Sequence, residues 1–189
     1  MKKNLLKKIW LGLGFLFTFY LFLPGPKLPP PDLPDSLKST LPGDTIQLPR
    51  ISGYFTDKNR SDVIDFYKNY FSKSSFLNFP LLTIRLNHPP EHAKQVIRDT
   101  TRSYYLEELV HPFRESLFIN GFEWEKDVFT SPEKRAKNKI LTGDRVRRAK
   151  IILRWFPSKL LFRLVIFWSC WIAFWVIVKE WKREIRGQT

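Results

Sequence analysis

LLFRLVIFWSCWIAFWVIV, residues 160–178, is the stretch whose reading decides the architecture. It carries a single charge in nineteen residues, Arg163, near its start. At the rise of an α-helix, nineteen residues cover about 28 Å, close to the hydrocarbon thickness of a bilayer. Trp168, Trp171 and Trp175 load the segment with aromatic surface, and Trp155 and Trp181 bracket it where membrane interfaces favour indole rings. A soluble helix this apolar on every side needs a large protein around it, which a chain of 189 residues does not supply. Residues 158–178 are therefore predicted to form a transmembrane helix, followed by a short charged tail at 179–189.

The N-terminus reads the same way. MKKNLLKKIWLGLGFLFTFYLFLPGP opens with a basic tail, 1–8, and continues with an uncharged, mostly apolar run, 9–23. A positive region followed by an apolar one is the layout of a secretory signal. Cleaved signals end in small residues, and Leu21-Phe22-Leu23-Pro24 offers none, so an uncleaved signal anchor is expected. The run reaches only about 22 Å, so Lys7 and Lys8 are expected to snorkel or the bilayer to thin. Lys2, Lys3, Lys7 and Lys8 favour a cytoplasmic N-terminus, while the basic run before the second span points the other way. Long loops translocate largely regardless of charge, so the reading is an integral plasma-membrane protein with its domain on the extracytoplasmic side.

The formal charge of +14 invites a nucleic-acid reading, which its distribution excludes. Residues 1–43 carry six basic and two acidic side chains, residues 44–132 eleven and twelve, and residues 133–189 fifteen and four. The middle is neutral, and the excess lies beside the apolar stretches, where cations anchor helices and meet anionic lipid headgroups. The expected partners are thus the bilayer and its anionic headgroups, with no nucleic acid. Cys170, the only cysteine, lies within the second span, so no disulfide and no cysteine metal cluster is available.

Residues 24–49 hold eight prolines and read as an extended stem that keeps a domain off the membrane. The domain, 50–130, is expected to be α+β in βαβαββ order. ISGYFT (51–56) is a strand; Ser61 caps a helix with Val63, Ile64, Phe66, Tyr67, Tyr70 and Phe71 on one broad face; LLTIRL (81–86) is a second strand. Pro89 and Pro90 start a second helix that turns Ala93, Val96 and Ile97 inward. Strands follow at 104–110 and 117–124, with Asn120-Gly121 as a bulge or turn. Residues 131–157 read as a basic juxtamembrane amphipathic helix, started at Ser131-Pro132-Glu133 and capped again by Asp144. Val146, Ala149, Leu153 and Phe156 share its apolar face, and Pro157 ends it. Arg145, Arg147, Arg148, Lys150 and Arg154 would then lie along the headgroups.

His88-Pro89-Pro90-Glu91-His92 matches the H-x-x-E-H spacing in which two histidines one turn apart hold zinc beside a glutamate base. The geometry opposes it, because a residue before proline is pushed out of helical conformation, which takes His88 off the face that presents His92. A metal-dependent membrane hydrolase using His88, His92 and a nearby carboxylate, with Glu107, Glu108 or His111 as further ligands, is the rival reading. Ser116 with His111 and a glutamate lacks any nucleophile elbow. Asn59-Arg60-Ser61 fits both a glycosylation sequon and a helix start. Neither a phosphate-binding glycine loop nor a dinucleotide fingerprint occurs, so no cofactor is implied. Ser169 and Ala173 form a small-x-x-x-small pair, with Gly12 as a matching groove, for packing of the spans on each other, on a membrane protein partner or on a second copy. The function read from all this is a non-catalytic scaffold or binding module held at a membrane.

Overall fold

The computed structural model describes residues 2–42, 44, 48–97, 103–127 and 130–187. Parts of the proline-rich segment (43 and 45–47), Arg102 and the last two residues of the tail lie outside the described residues. Two units result: residues 1–24 with 158–189, and residues 25–157.

The first unit is a pair of helices, α1 (Lys2–Phe22) and α5 (Leu160–Gly187). Their apolar windows, Leu5–Phe22 and Leu160–Ile185, are long enough to cross a membrane and are only 11 % and 6 % buried. A core helix of a soluble protein hides most of its surface, and these expose theirs, as helices solvated by lipid do. The chain is an integral membrane protein with two spanning helices.

The helices meet through rings. Trp10 stacks on Trp171 with centroids 3.9 Å apart, and Phe17 stacks on Phe167 at 5.2 Å. Gly14, not Gly12, is the point of close approach: a Cβ there would lie 2.9 Å from Trp171 Nε1, whereas one on Gly12 would meet open space. Ser169 and Ala173 are exposed and take no part in this contact. The aromatic face wins because lipid offers helices no hydrophobic driving force, so the larger dispersion contact decides. Gly14→Val should therefore separate the spans, and Ala173→Leu should not. Disulfide trapping between cysteines at Phe17 and Phe167, whose rings stack across the pair, in a Cys170→Ser background, is expected to fall several-fold in the first variant only. Arg163 is also placed: it donates from Nε to Ser158 Oγ at 2.8 Å and from Nη1 to the Leu21 carbonyl at 3.4 Å.

The second unit is a mixed α/β domain with two sheets. Its elements are β1 (Leu37–Lys38), β2 (Ile51–Thr56), α2 (Arg60–Phe71), β3 (Ile84–His88), α3 (Ala93–Val96, entered through a 3-10 turn at Pro90–His92), β4 (Tyr105–Val110), β5 (Ser116–Glu123), α4 (Pro132–Arg135), β6 (Ile140–Thr142), β7 (Arg145–Arg147) and β8 (Ala149–Phe156). The antiparallel main sheet has the order β1-β2-β8-β5-β4-β3, and β6 and β7 form a separate hairpin. One side of the sheet packs on α2, with Tyr54, Tyr105, Leu109, Leu117, Ile119, Ile151 and Leu153 against Val63, Ile64, Tyr67 and Phe71. The other side receives Ala93 and Ile97 over Leu106 and Ile152.

From β2 to β5 the order is the βαβαββ read from the sequence, with β2 at its expected bounds. Three details differ. β3 begins at Ile84, after an irregular loop. Asn59, not Ser61, caps α2 by accepting the Asp62 N–H at 2.9 Å. Asn120-Gly121 is neither bulge nor turn, since both stay in register opposite Leu106 and Tyr105.

The basic amphipathic helix expected over 131–157 is not formed. Only Pro132–Arg135 is α-helical, Gly143 with φ +60° turns a hairpin where Asp144 was to cap a helix, and AKIILRWF becomes the central strand β8. Alternation explains it. Ala149, Ile151 and Leu153 point to the α2 side, while Ile152 joins the opposite core, and adjacent β-branched isoleucines suit a strand buried on both faces. The intervening cations find partners: Lys150 lies 3.1 Å from Asp44 Oδ1, and Arg154 bonds the Val96 carbonyl and lies over the Phe156 ring. The proline-rich segment also differs from a free spacer. Leu33 is a core residue, β1 extends the sheet, and the Tyr54 hydroxyl donates to Asp32 Oδ1 at 2.8 Å.

Candidate functional site

Two regions gather side chains able to do chemistry: the buried polar groups of β4, and an open cleft at the Thr56 end of the sheet.

On β4, alternation turns Glu107 inward between Tyr105 and Leu109, and its side chain is fully buried. Arg85 from β3 holds both carboxylate oxygens, at 2.8 and 2.9 Å, and Arg60 from the first turn of α2 adds two further bonds to Oε1. Burial by itself pushes the Glu107 carboxyl up. The hydrogen bonds and charges of Arg85 and Arg60 outweigh that and hold it below the usual carboxylate range. Glu107 is thus an ionised structural anchor with no proton to give at neutral pH.

His111 is also fully buried. Its Nδ1 lies 2.8 Å from Glu115 Oε1, its Nε2 lies 3.1 Å from Thr83 Oγ1, and its ring stacks on Phe71 at 4.2 Å. A Glu–His–hydroxyl row resembles a nucleophile triad, but it involves Thr83 and not Ser116, which sits in the sheet opposite Phe156. The His111 and Glu115 side chains are buried, with Arg114 on Glu115 at 3.0 Å, and Thr83 at the end of the row is half-buried. Such an array positions a turn.

The histidines of the candidate zinc motif are not brought together. His88 lies on the side of the sheet opposite α2, bonded to Glu108 at 2.7 Å and stacked on Phe118, whereas His111 lies on the α2 side. His92 is exposed at the end of the 3-10 turn. Among the described residues no three His, Cys, Asp or Glu side chains are placed to hold a metal ion, which argues against a metal-dependent catalytic site.

The open cleft, of about 600 Å³, is lined by Asp35, Ser36, Leu37, Asp57, Lys58, Asp62, Arg145 and Arg147. The proline-rich segment, the end of β2, the first turn of α2 and the β6–β7 hairpin converge there. Arg147 pairs with Asp57 at 2.8 Å, and the Arg148 N–H donates to the same carboxylate at 3.1 Å. Partial burial acts to raise the Asp57 carboxyl, but these two bonds outweigh it and hold it low. Lys58 pairs with Asp35 at 3.2 Å. Asp62 and Arg145 present their charges to solvent. Of the five cations expected along the headgroups, Arg145 and Arg147 line this cleft, Arg148 lies 3.6 Å from Glu123, and Lys150 and Arg154 serve the far side of β8.

Sequence reasoning missed Arg60, Arg85 and the cleft carboxylates. Once β4 is read as a strand, one signal was available: a glutamate alternating with Tyr105 and Leu109 must be buried, and a buried carboxylate needs cationic partners. The cleft left no such signal, since residues about 110 positions apart in the chain build it.

The fold and these sites define a class: an integral membrane protein carrying an α+β domain whose ionisable interior groups are paired. Neither a known protein family, nor a curated protein, nor a solved structure matches this chain.

Proposed function

We propose that the chain is a non-catalytic binding module of the plasma membrane, holding its domain on the extracytoplasmic side for a protein partner. One observation carries the reading. The side chains best suited to catalysis, Glu107, His88 and His111, are each bonded to a partner within the domain, Glu107 and His111 in its interior and His88 half-buried on the sheet. What the domain offers outward is the mixed-charge cleft. Asp62 and Arg145, exposed and opposite in sign, suit a polar, zwitterionic protein surface better than a nucleic acid or an apolar ligand. Of the five cations expected along the headgroups, Arg154, two residues before the end of β8, is nearest in the chain to the second span, and its guanidinium also bonds the Val96 carbonyl. Arg147 is spent on Asp57, and Arg145, on the separate β6–β7 hairpin, lines the cleft at the Thr56 end of the sheet.

The test uses the full chain in intact cells, with Cys170→Ser as background. An Arg145→Cys variant is expected to react with a membrane-impermeant maleimide without lysis. A photocrosslinking residue in place of Asp35 should give a discrete protein adduct that Asp62→Lys reduces several-fold. Labelling only after lysis overturns the orientation. An absent adduct, or one indifferent to Asp62, overturns the cleft as the binding surface.

A further inference from the structure

The loop joining α2 to β3, SKSSFLNFPLLT at 72–83, exposes four large apolar side chains within seven residues. Phe76 is 58 % exposed, Leu77 83 %, Phe79 50 % and Leu82 58 %. Single exposed apolar residues are ordinary, but a contiguous group marks a contact. The loop is not slack. The Leu81 N–H donates to the Ser72 carbonyl and the Ser74 N–H to Phe79, both at 2.8 Å, and the Phe79 N–H closes the tip on Phe76 at 3.1 Å. Leu77 and Asn78 both hold left-handed backbone, φ +50° and +52°. For leucine that conformation costs about 1–2 kcal/mol, so the fold spends stability to aim these side chains outward.

Chain connectivity says what lies beyond them. The Ser75 N–H donates to the Gly25 carbonyl at 2.9 Å, and Gly25 stands three residues after Phe22, the last residue of the first span. Three extended residues reach about 10 Å at most. The other junction leaves from the same end of the domain: Phe156, four residues before Leu160, pairs with Ser116, and the preceding turn packs Glu115 against Gly25. That turn carries Phe113, 46 % exposed. Lys73, at the start of the loop, and Lys27, whose carbonyl accepts the Tyr70 hydroxyl, add cations where phosphate headgroups lie.

We propose that this loop is a membrane-dipping element, with Phe76, Leu77, Phe79 and Leu82 seated in the interfacial layer of the bilayer that the spans cross. Interfacial segments of this kind sit about 5–10 Å into the headgroup and acyl boundary, which a short tip can reach. The anchoring fixes the tilt of the domain and points its cleft away from the membrane. It holds on whichever side the domain stands, so it fails or survives independently of the binding-module reading.

The experiment places an environment-sensitive fluorophore on Leu77→Cys, in the full chain with Cys170→Ser, purified and reconstituted in phosphatidylcholine–phosphatidylglycerol vesicles. Lys58→Cys, at the cleft, is the control. The Leu77 probe is expected to emit blue-shifted from the control and to be quenched roughly two-fold by lipids spin-labelled near the headgroup. Aqueous iodide should quench it several-fold less than the control. Equal iodide quenching at both positions overturns the proposal. So does shielding from both iodide and lipid quenchers, which would mean that a second copy of the chain covers the loop.

Discussion

Gly121→Ala is expected to abolish stable packing of the domain. The Tyr105 ring lies across this position, and a Cβ there would fall on its Cζ and Cε1 atoms, well inside any allowed contact. Neither side has room to move. Gly121 is held in register between Tyr105 and Ile151, and Tyr105 is 1 % exposed, with the Arg60 guanidinium 5.0 Å from its ring. Overpacking typically costs about 1–3 kcal/mol, and a clash with an immobile ring stands at or above the top of that range. Against a typical domain stability of roughly 5–15 kcal/mol this is a large fraction. Hydrogen exchange on the full chain in detergent should show the β4 and β5 amides losing protection. Tyr105→Leu, which shortens the obstructing side chain, should restore part of it in the double variant. If the double variant is no better than Gly121→Ala alone, the ring is not the obstacle. Tyr105→Phe, by contrast, is expected to be nearly neutral, because the buried hydroxyl has no hydrogen-bond partner among the described residues.

The second large effect concerns Glu107, and its sign depends on which partner is removed. Arg60 and Arg85 keep side-chain exposures of 33 % and 43 %, while Glu107 has none. Deleting both guanidinium groups strands a buried carboxylate, which costs about 3–5 kcal/mol, whereas deleting the carboxylate leaves two cations that can turn to water. Arg60→Ala with Arg85→Ala should therefore lower the unfolding midpoint far more than Glu107→Leu does. Adding Glu107→Leu to that pair should recover much of the loss. A triple variant as unstable as the double would show that the arginines act by packing, not by charge. The acid response follows from the same geometry. Because the folded carboxyl is held below its unfolded value near 4.3, its contribution is fully present above that pH and lost as the pH falls through the folded value. Urea midpoints of the wild-type chain should drop more steeply below about pH 4 than those of Glu107→Gln.

The two environments of this protein leave different marks in its sequence. A bilayer is a uniform solvent that asks one thing of every position facing it, so both spans could be read from composition and length. The strand ISGYFT and the helix after Asn59 were legible for a related reason, since their local patterns agree with their environment. β8 was not. Lys150, Arg154 and Arg147 made 131–157 look like a charged helix lying on headgroups, and Val146, Ala149, Leu153 and Phe156 fit a helical period well enough. Only the sheet supplies what makes that segment a strand: β2 and β5 on either side, and Asp44, the Val96 carbonyl and Asp57 to receive its cations.

The sequence by itself determined that two apolar helices cross the membrane and that a neutral α+β domain with β2, α2, β3, α3, β4 and β5 in that order lies between them. The tertiary structure alone decided that the proline-rich segment packs on the domain, that β8 forms its centre, and that Glu107 and His111 are buried and bonded within it. It also decided that Gly14 and the tryptophans, not Ser169 and Ala173, join the spans. The physical reason is that hydrophobic length and periodicity are local quantities carried by neighbouring residues. Whether a charge is free or neutralised depends instead on groups that arrive from elsewhere in the chain. Arg60 and Glu107, 47 positions apart, meet only once the fold has closed.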